Sequence, residues 1–249
     1  MALTQHPWFR IAYKLLALVL LSYTALAGFL LTLPRVEGLE QSSRSLFFHL
    51  PMWFAMYTMM LVSLGWSIAY LRGNRLAADR RARESALVAV FFGILGLLTG
   101  ILWSRVTWGQ TLPDTDPAAW WVWDPKQTGA LMALLIYAGY LVLRSSVDEV
   151  SERARVAAIF NIFAFATIPA LTYIVPRSLQ GLHPGAEGDT LDFDQAYRQV
   201  LYPAFLGFIL LAFWLLELRV RLSDLRTRLW ERQTSAPPPK APLDIQRSA

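Results

Sequence analysis

The sequence predicts an all-α integral membrane protein, a bundle of six transmembrane helices with both termini in the cytoplasm. Three observations carry this prediction. Of the 249 residues, 55% are hydrophobic and only 16% are charged, whereas soluble domains carry about 25% charged residues. Six apolar stretches are long enough to cross a bilayer. The basic residues gather at the ends of these stretches, as the positive-inside rule requires.

The six predicted spans follow one another with short polar connections. Lys14 interrupts the first span one turn from its end, where its ammonium can reach the headgroups. This span is too long for a cleaved signal and lacks a convincing cleavage site, so we interpret it as an anchor. Gly93, Gly96 and Gly100 recur at small-residue spacing in the third span and predict a close helix–helix contact. The predicted spans are residues 11–33, 46–71, 86–103, 128–143, 156–175 and 200–218.

The segments between and after the spans differ in composition. The loop 72–85 is the most basic internal segment, and the short fourth span is expected to start its helix at Pro125. Residues 219–232 can extend the last helix beyond the membrane. The tail 233–249 is polar and rich in proline, which predicts a disordered cytoplasmic segment. Residues 1–232 therefore form one six-span membrane domain.

The distribution of Lys and Arg predicts the orientation of the chain. Seventeen of these residues lie on the side of the termini and six on the opposite side, which places the termini in the cytoplasm. His49 and His183 then face outward together with a tryptophan-rich loop between residues 104 and 127, whereas His6 faces the cytoplasm.

Composition and motifs also exclude several classes of protein. The absence of cysteine rules out disulfides, thiolate catalysis, iron–sulfur clusters and zinc–thiolate sites. We find no phosphate-binding glycine loop, no Ser/His/Asp arrangement and no paired carboxylates. The net charge of +5 does not indicate nucleic acid as a partner, because the basic residues lie at the ends of apolar segments. A binding or transport protein is favoured over an enzyme.

The most distinctive stretch is residues 120–128, with the sequence WWVWDPKQT. Indole rings offer flat faces and one N–H donor each, which suits a planar aromatic ligand at a membrane surface. Alternatively, these tryptophans anchor the chain at the membrane interface. Asp124 followed by Pro125 is a common way to begin a helix. The candidate binding residues here are Trp120, Trp121, Trp123, Asp124 and Lys126.

The two outer histidines flank the tryptophan-rich loop in sequence. Imidazole is a common axial ligand of haem iron, and His49 and His183 could ligate one iron from both faces. A copper or zinc site is the alternative, although its further ligands are not obvious. A loop histidine with no ligand is the simplest interpretation, but an ionisable residue at the entrance of a span, such as His49, is costly without a role.

Haem carries two propionates, and four outer cations are candidate partners. Guanidinium groups match carboxylates in a bidentate manner, so Arg44 and Arg177 are favoured over Lys126 and Arg105. All four could instead contact lipid phosphates at the interface.

The string Trp108-Gly109 followed by residues 120–128, with His49 and His183 on either side, resembles the tryptophan-rich signature of the CcmC/CcsA family of cytochrome c biogenesis. The similarity is greatest to the CcmC subunit. It implies haem b bound by two axial histidines and cradled by the tryptophan loop, in the bacterial inner membrane. It further implies delivery to a periplasmic haem chaperone, with ATP-binding-cassette exporter subunits and a small membrane subunit as partners.

Two departures from the family pattern stand out. First, residues Gln110 to Ala119 separate the two tryptophan motifs. Second, Lys126 stands where CcmC members commonly have arginine, and this sequence is more similar to that of CcsA-type haem-lyase subunits. Those synthases are longer, which favours CcmC. Other classes remain open: a b-type cytochrome buries its histidines inside the bundle, and a permease needs polar residues near the midplane. The spans offer almost none near the midplane, where Asn161 and Thr167 of the fifth span are mildly polar, so a haem site at the outer interface fits better.

Overall fold

A computed structural model describes residues 7–34, 40–108, 120–183 and 193–234. Within these ranges every regular element is a helix, which confirms the predicted all-α class. A short 3-10 turn, Glu40–Ser45, leads into the second helix, and a π-helical turn, Ala170–Ile174, interrupts the fifth. The six long helices are α1 Pro7–Leu30, α2 Leu46–Gly73, α3 Leu76–Thr107, α4 Pro125–Ser145, α5 Val150–Ser178 and α6 Gln195–Thr234.

Each of these six helices is long and apolar enough to cross a membrane, which confirms the six predicted spans for the described part of the chain. As expected, α4 begins at Pro125 and α6 continues past residue 232. The location of the termini in the cytoplasm stays a prediction. Several expectations fall on residues outside the described ranges, namely His6, Gly109, residues 110–119 and the tail from 235 onward.

The basic segment 72–85 is largely helical rather than a loop. α3 begins at Leu76, well before the predicted membrane span, because alanine, leucine and arginine favour helix and nothing breaks the pattern. Only Asn74 and Arg75 separate α2 from α3. Asn74 adopts a left-handed conformation with φ 49° and donates its backbone N–H to the Tyr70 carbonyl at 2.7 Å, which ends α2.

The glycines of α3 make the close contact that their spacing predicts. An added Cβ at Gly96 would lie 2.9 Å from Cε2 of Trp53, and one at Gly100 would lie 2.9 Å from Cε1 of His49. Gly93 similarly leaves room for Met56. The glycine face of α3 therefore lets α2 approach closely, and the Trp53 and His49 rings of α2 pack against the α3 backbone.

The two ends of the bundle differ in chemistry. At one end, α2 begins, α3 ends, α4 begins and α5 ends; we call this the histidine end because it carries His49 and His183. At the other end, α1 begins, α2 ends and α3 begins; we call this the N-terminal end. There Arg144 of α4 donates to both oxygens of Asp79 on α3 at 2.6 and 2.8 Å, and both residues are buried. This paired charge connects α3 to α4, where breaking one partner would leave a buried ion.

A candidate two-histidine site

His49 and His183 lie together at the histidine end. His49 is in the first turn of α2, and His183 follows α5, yet their ring centroids are 6.4 Å apart with planes inclined by 35°. Both rings line a cavity of about 160 Å³, whose other walls come from α2, α3, α4 and α5. The helix packing thus brings together two residues that are far apart in sequence.

Two neighbours define the chemistry of the His49 ring. The Thr99 hydroxyl donates to the carbonyls of Leu95 and Gly96, both at 2.9 Å, and so accepts from Nδ1–H of His49 at 3.0 Å. The Trp53 indole, which can only donate, gives its N–H to Nε2 of His49 at 3.2 Å. Both bonds require the tautomer that carries its proton on Nδ1. The lone pair therefore lies on Nε2, and this nitrogen can bind a metal when its hydrogen bond from Trp53 is broken.

Aromatic rings surround His183. The Trp103 and Trp108 rings each lie 6.2 Å from the His183 ring, and they meet each other edge to face at 5.3 Å. Trp108 is buried, so its indole forms part of the cavity wall. Trp108 was a predicted site residue. The sequence does not mark Trp103 as a site residue, because a tryptophan at the end of a predicted span is typical of an interface anchor.

Asp124 holds the His183 segment as well as the start of α4. Its Oδ1 accepts from the backbone N–H groups of Lys126 at 2.9 Å and Gln127 at 3.1 Å, which confirms the predicted N-cap. Its Oδ2 accepts from the backbone N–H groups of Leu182 at 2.9 Å and His183 at 3.3 Å. One buried carboxylate therefore joins the tryptophan motif to the segment that presents the second histidine.

Two glycines permit this arrangement. A Cβ at Gly181 would lie 2.9 Å from Oδ2 of Asp124, so a side chain there would displace the segment from its acceptor. A Cβ at Gly129 would overlap the carbonyl oxygen of Leu171, in the π-helical turn of α5. Thr172 of this turn lines the cavity, and π-helical turns are frequent at functional sites.

The tryptophans of the 120–128 stretch lie outside the described cavity lining. Trp120 is 60% exposed and Trp123 is 78% exposed, while Trp121 is half-buried and meets Trp123 edge to face at 5.7 Å. The Arg105 guanidinium lies 4.1 Å from the centre of the Trp120 ring, a cation–π contact. These rings therefore form an aromatic surface beside the cavity rather than its wall.

The candidate cations lie in three different environments. Lys126 lines the cavity. Arg44 donates to the carbonyls of Gly28 at 2.6 Å and Leu31 at 2.9 Å, and so satisfies the last carbonyls of α1. Arg177 lies over the Tyr173 ring at 5.0 Å. Of the four candidate cations, only Lys126 belongs to the described cavity lining.

The fold and this site define a class: a multi-pass membrane protein with two histidines and an aromatic surface at one end of its bundle. Comparison with known families supports a narrower statement. Residues 2–238 match the family described as heme exporter protein C, CcmC. The chain belongs to this family.

Individual relatives agree with this assignment. The heme exporter protein C of Paracoccus denitrificans is 31% identical over 187 residues, which cover 74% of each chain. That of Bradyrhizobium diazoefficiens is 28% identical over 91% of this chain and 80% of its own. That of Escherichia coli K12 is 27% identical over 86% of this chain and 82% of its own. The protein is accordingly a multi-pass component of the bacterial inner membrane with a role in haem delivery for cytochrome c maturation.

Proposed function

We propose that the chain binds haem b as cargo through His49 and His183 at the outer face of the membrane and passes it to a periplasmic haem chaperone. The separation of the two histidine rings, 6.4 Å between centroids, carries this proposal. Two imidazoles bound at about 2 Å on opposite sides of one iron have ring centres roughly 6 Å apart. The aromatic walls supplied by Trp103 and Trp108 suit a flat macrocycle.

Trp53 supports a reversible mode of binding. Its N–H donates to the Nε2 lone pair of His49, the position that iron would take. Iron binding then exchanges one partner of this nitrogen for another, so that neither state leaves a buried lone pair without a partner. Thr99 keeps the same tautomer in both states. A carrier that must release its cargo benefits from such an exchange.

The size of the cavity indicates where the rest of the cargo lies. Its volume of about 160 Å³ is below the roughly 300–1,000 Å³ of typical small-molecule pockets. We infer that the cavity takes the iron and its nearest porphyrin atoms, and that the macrocycle extends over the exposed Trp120 and Trp123. Lys126 is the favoured partner of a propionate, because it lines the cavity.

The partners of this proposal are subunits of the same maturation system. Its family membership supports a haem-handling complex with other Ccm subunits, and we propose ATP-binding-cassette exporter subunits and a small membrane subunit among them. In α1 and α5, 22% of the residues of the most apolar stretch are buried inside the protein, against 39% in each of the other four helices. Their apolar faces suit lipid or the helix of a membrane partner.

An absorption spectrum of the purified protein in detergent tests the haem site. We expect a low-spin spectrum in the wild type and a disturbed spectrum in both His49→Ala and His183→Ala. Added imidazole should restore the low-spin spectrum in these variants, because it fills the space of the missing side chain. His6→Ala serves as the control and should match the wild type. An unchanged spectrum in both outer-histidine variants would overturn the assignment.

A further inference from the structure

A second and larger cavity lies at the N-terminal end of the bundle. It encloses about 560 Å³ where α1, α2, α3 and α6 meet. Charged and aromatic side chains dominate its lining, which includes Arg10, Tyr13, Trp66, Arg81, Glu217 and Arg221. Neither the haem proposal nor the family assignment uses this cavity.

The lining carries more positive than negative charge. Glu217 is the acidic side chain in the lining, and it pairs with Arg10, Arg221 and Lys14, the last at 3.1 Å. The Tyr13 hydroxyl also donates to Glu217. A single carboxylate thus serves three cations, and the electrostatic potential of the cavity is positive.

Arg81 adds a further cation with a different environment. Its guanidinium lies 4.7 Å from the centre of the Trp66 ring, on the cavity wall. In the described part of the chain no carboxylate lies within ion-pair distance of Arg81, whereas its neighbours Arg80 and Arg83 pair with acidic residues at 3.2 and 2.6 Å. No carboxylate of the described residues therefore neutralises the Arg81 charge, and an anion from outside the chain could do so.

The position of the cavity points to an amphiphile. Trp66 and His49 lie on the same helix 17 residues apart, which is about 25 Å along its axis and close to the roughly 30 Å of a hydrocarbon core. The cavity therefore opens near the other membrane surface from the histidine site. Its lining includes apolar side chains of α6, among them Phe213, which is 39% exposed.

We propose that this cavity binds the headgroup of an acidic phospholipid, with the phosphate at Arg81 and Arg221 and the acyl chains along the apolar faces of α1 and α6. Guanidinium groups bind phosphate oxygens in a bidentate manner. Basic pockets between membrane helices are known to hold acidic headgroups. The aromatic rings of Tyr13 and Trp66 sit at the headgroup level, where such rings are favoured.

Native mass spectrometry of the intact protein in detergent tests this site. Dioleoylphosphatidylglycerol should bind more tightly than dioleoylphosphatidylcholine. Arg81→Gln should weaken phosphatidylglycerol binding about fivefold, the equivalent of about 1 kcal/mol per basic residue, and Arg81→Gln with Arg221→Gln should weaken it further. Arg81→Lys should retain most of the binding. Arg72→Gln, an exposed arginine at the same end of the bundle, is the matched control and should bind as the wild type does.

Three outcomes would overturn the proposal. Equal binding of both lipids, or equal loss in Arg81→Gln and Arg72→Gln, would show that the guanidinium does not select an acidic headgroup. Displacement of phosphatidylglycerol by haem in a protein that carries both His49→Ala and His183→Ala would show that the cavity prefers a carboxylate amphiphile to a phospholipid. The circular dichroism of each variant at 222 nm establishes that the helices are intact.

Discussion

At the scale of single residues, the Asp124 side chain both caps α4 and holds the backbone of the His183 segment. Oδ1 begins α4, and Oδ2 holds the backbone of Leu182 and His183. The residue is only 3% exposed, so these hydrogen bonds to a carboxylate are worth more than those of an exposed cap.

Asp124→Asn separates the two roles. Asparagine is as good an N-cap as aspartate, but an amide has only one oxygen, and its NH2 group must face one of the two sets of backbone N–H groups. We expect the NH2 group to face Leu182 and His183, so that α4 persists. Haem affinity should fall by about tenfold or more, because both hydrogen bonds of Oδ2 to these residues are lost and a bond to a charged acceptor is worth roughly 1.5 kcal/mol. Haem titration followed by absorbance measures this change. Asp148→Asn, an exposed carboxylate in the α4–α5 loop, is the control, and equal affinities in the two variants would contradict the anchoring role.

Thr99 and Trp53 act on His49 in opposite directions. Thr99→Val keeps the shape of the side chain but removes the acceptor of Nδ1–H, and loss of such a partner lowers metal affinity by about 10–100-fold. Trp53→Phe removes the N–H that competes for Nε2, so haem affinity should rise, by several-fold at most. Both are measured by haem titration. Thr167→Val is the matched control, because among the described residues the Thr167 hydroxyl bonds only to a carbonyl of its own helix, at 2.7 Å. A Thr99→Val protein with wild-type affinity would refute the positioning role.

At the scale of elements, the tryptophan segment before α4 is exposed enough to be changed without harm to the core. Trp120 and Trp123 are 60% and 78% exposed. Exposed tryptophan at a membrane surface fits both an interface anchor and a binding surface, so a measurement must separate the two.

Replacing Trp120, Trp121 and Trp123 by alanine separates these interpretations. If the rings stack on haem, each contributes about 0.5–1.5 kcal/mol beyond area burial, and the triple variant should lose most of its haem while it inserts normally. Trp→Phe changes should be milder. Trp8→Ala, a 66% exposed tryptophan of α1, is the control. Full haem content together with normal cytochrome c maturation in the triple variant would reduce the segment to an anchor.

Helix α3 illustrates what limits a reading of elements from hydropathy. A continuous apolar run marks the predicted membrane span of this helix, residues 86–103, but not its polar first turns from Leu76 onward. Those turns carry Asp79 and Arg81, whose partners lie on other helices. Charged residues next to a span are therefore as compatible with a helix as with a loop. In the structure α2 ends at the cap residue Asn74, and the charged residues that follow belong to α3.

At the scale of the whole molecule, the separation of the two sites depends on the orientation of the bundle. The histidine site is at one end, and the basic cavity and the Asp79–Arg144 pair are at the other. The excess of basic residues at the N-terminal end predicts that this end faces the cytoplasm.

Reporter fusions test the orientation. The connections after α2 and α4 are short, so fusions at Asn74 and Asp148 keep the preceding helices whole. Both should report the cytoplasm, and fusions at Pro113 and Gly188 should report the outside. An outside signal at Asn74 would place His49 and His183 on the cytoplasmic side and contradict delivery to a periplasmic chaperone.

The sequence by itself determined the fold class, the six spans and the start of α4, because hydropathy and capping are local properties. The outward position of His49 and His183 stays a prediction. Only the tertiary structure decided which side chains surround those histidines. Thr99, Trp53 and Trp103 carry no motif, and the bond from Asp124 to the His183 segment spans 59 positions. The contact of Arg44 with the end of α1 is likewise absent from any local pattern, and its role toward a propionate stays a prediction. Contacts between helices depend on how their faces pack, and no local pattern contains that information.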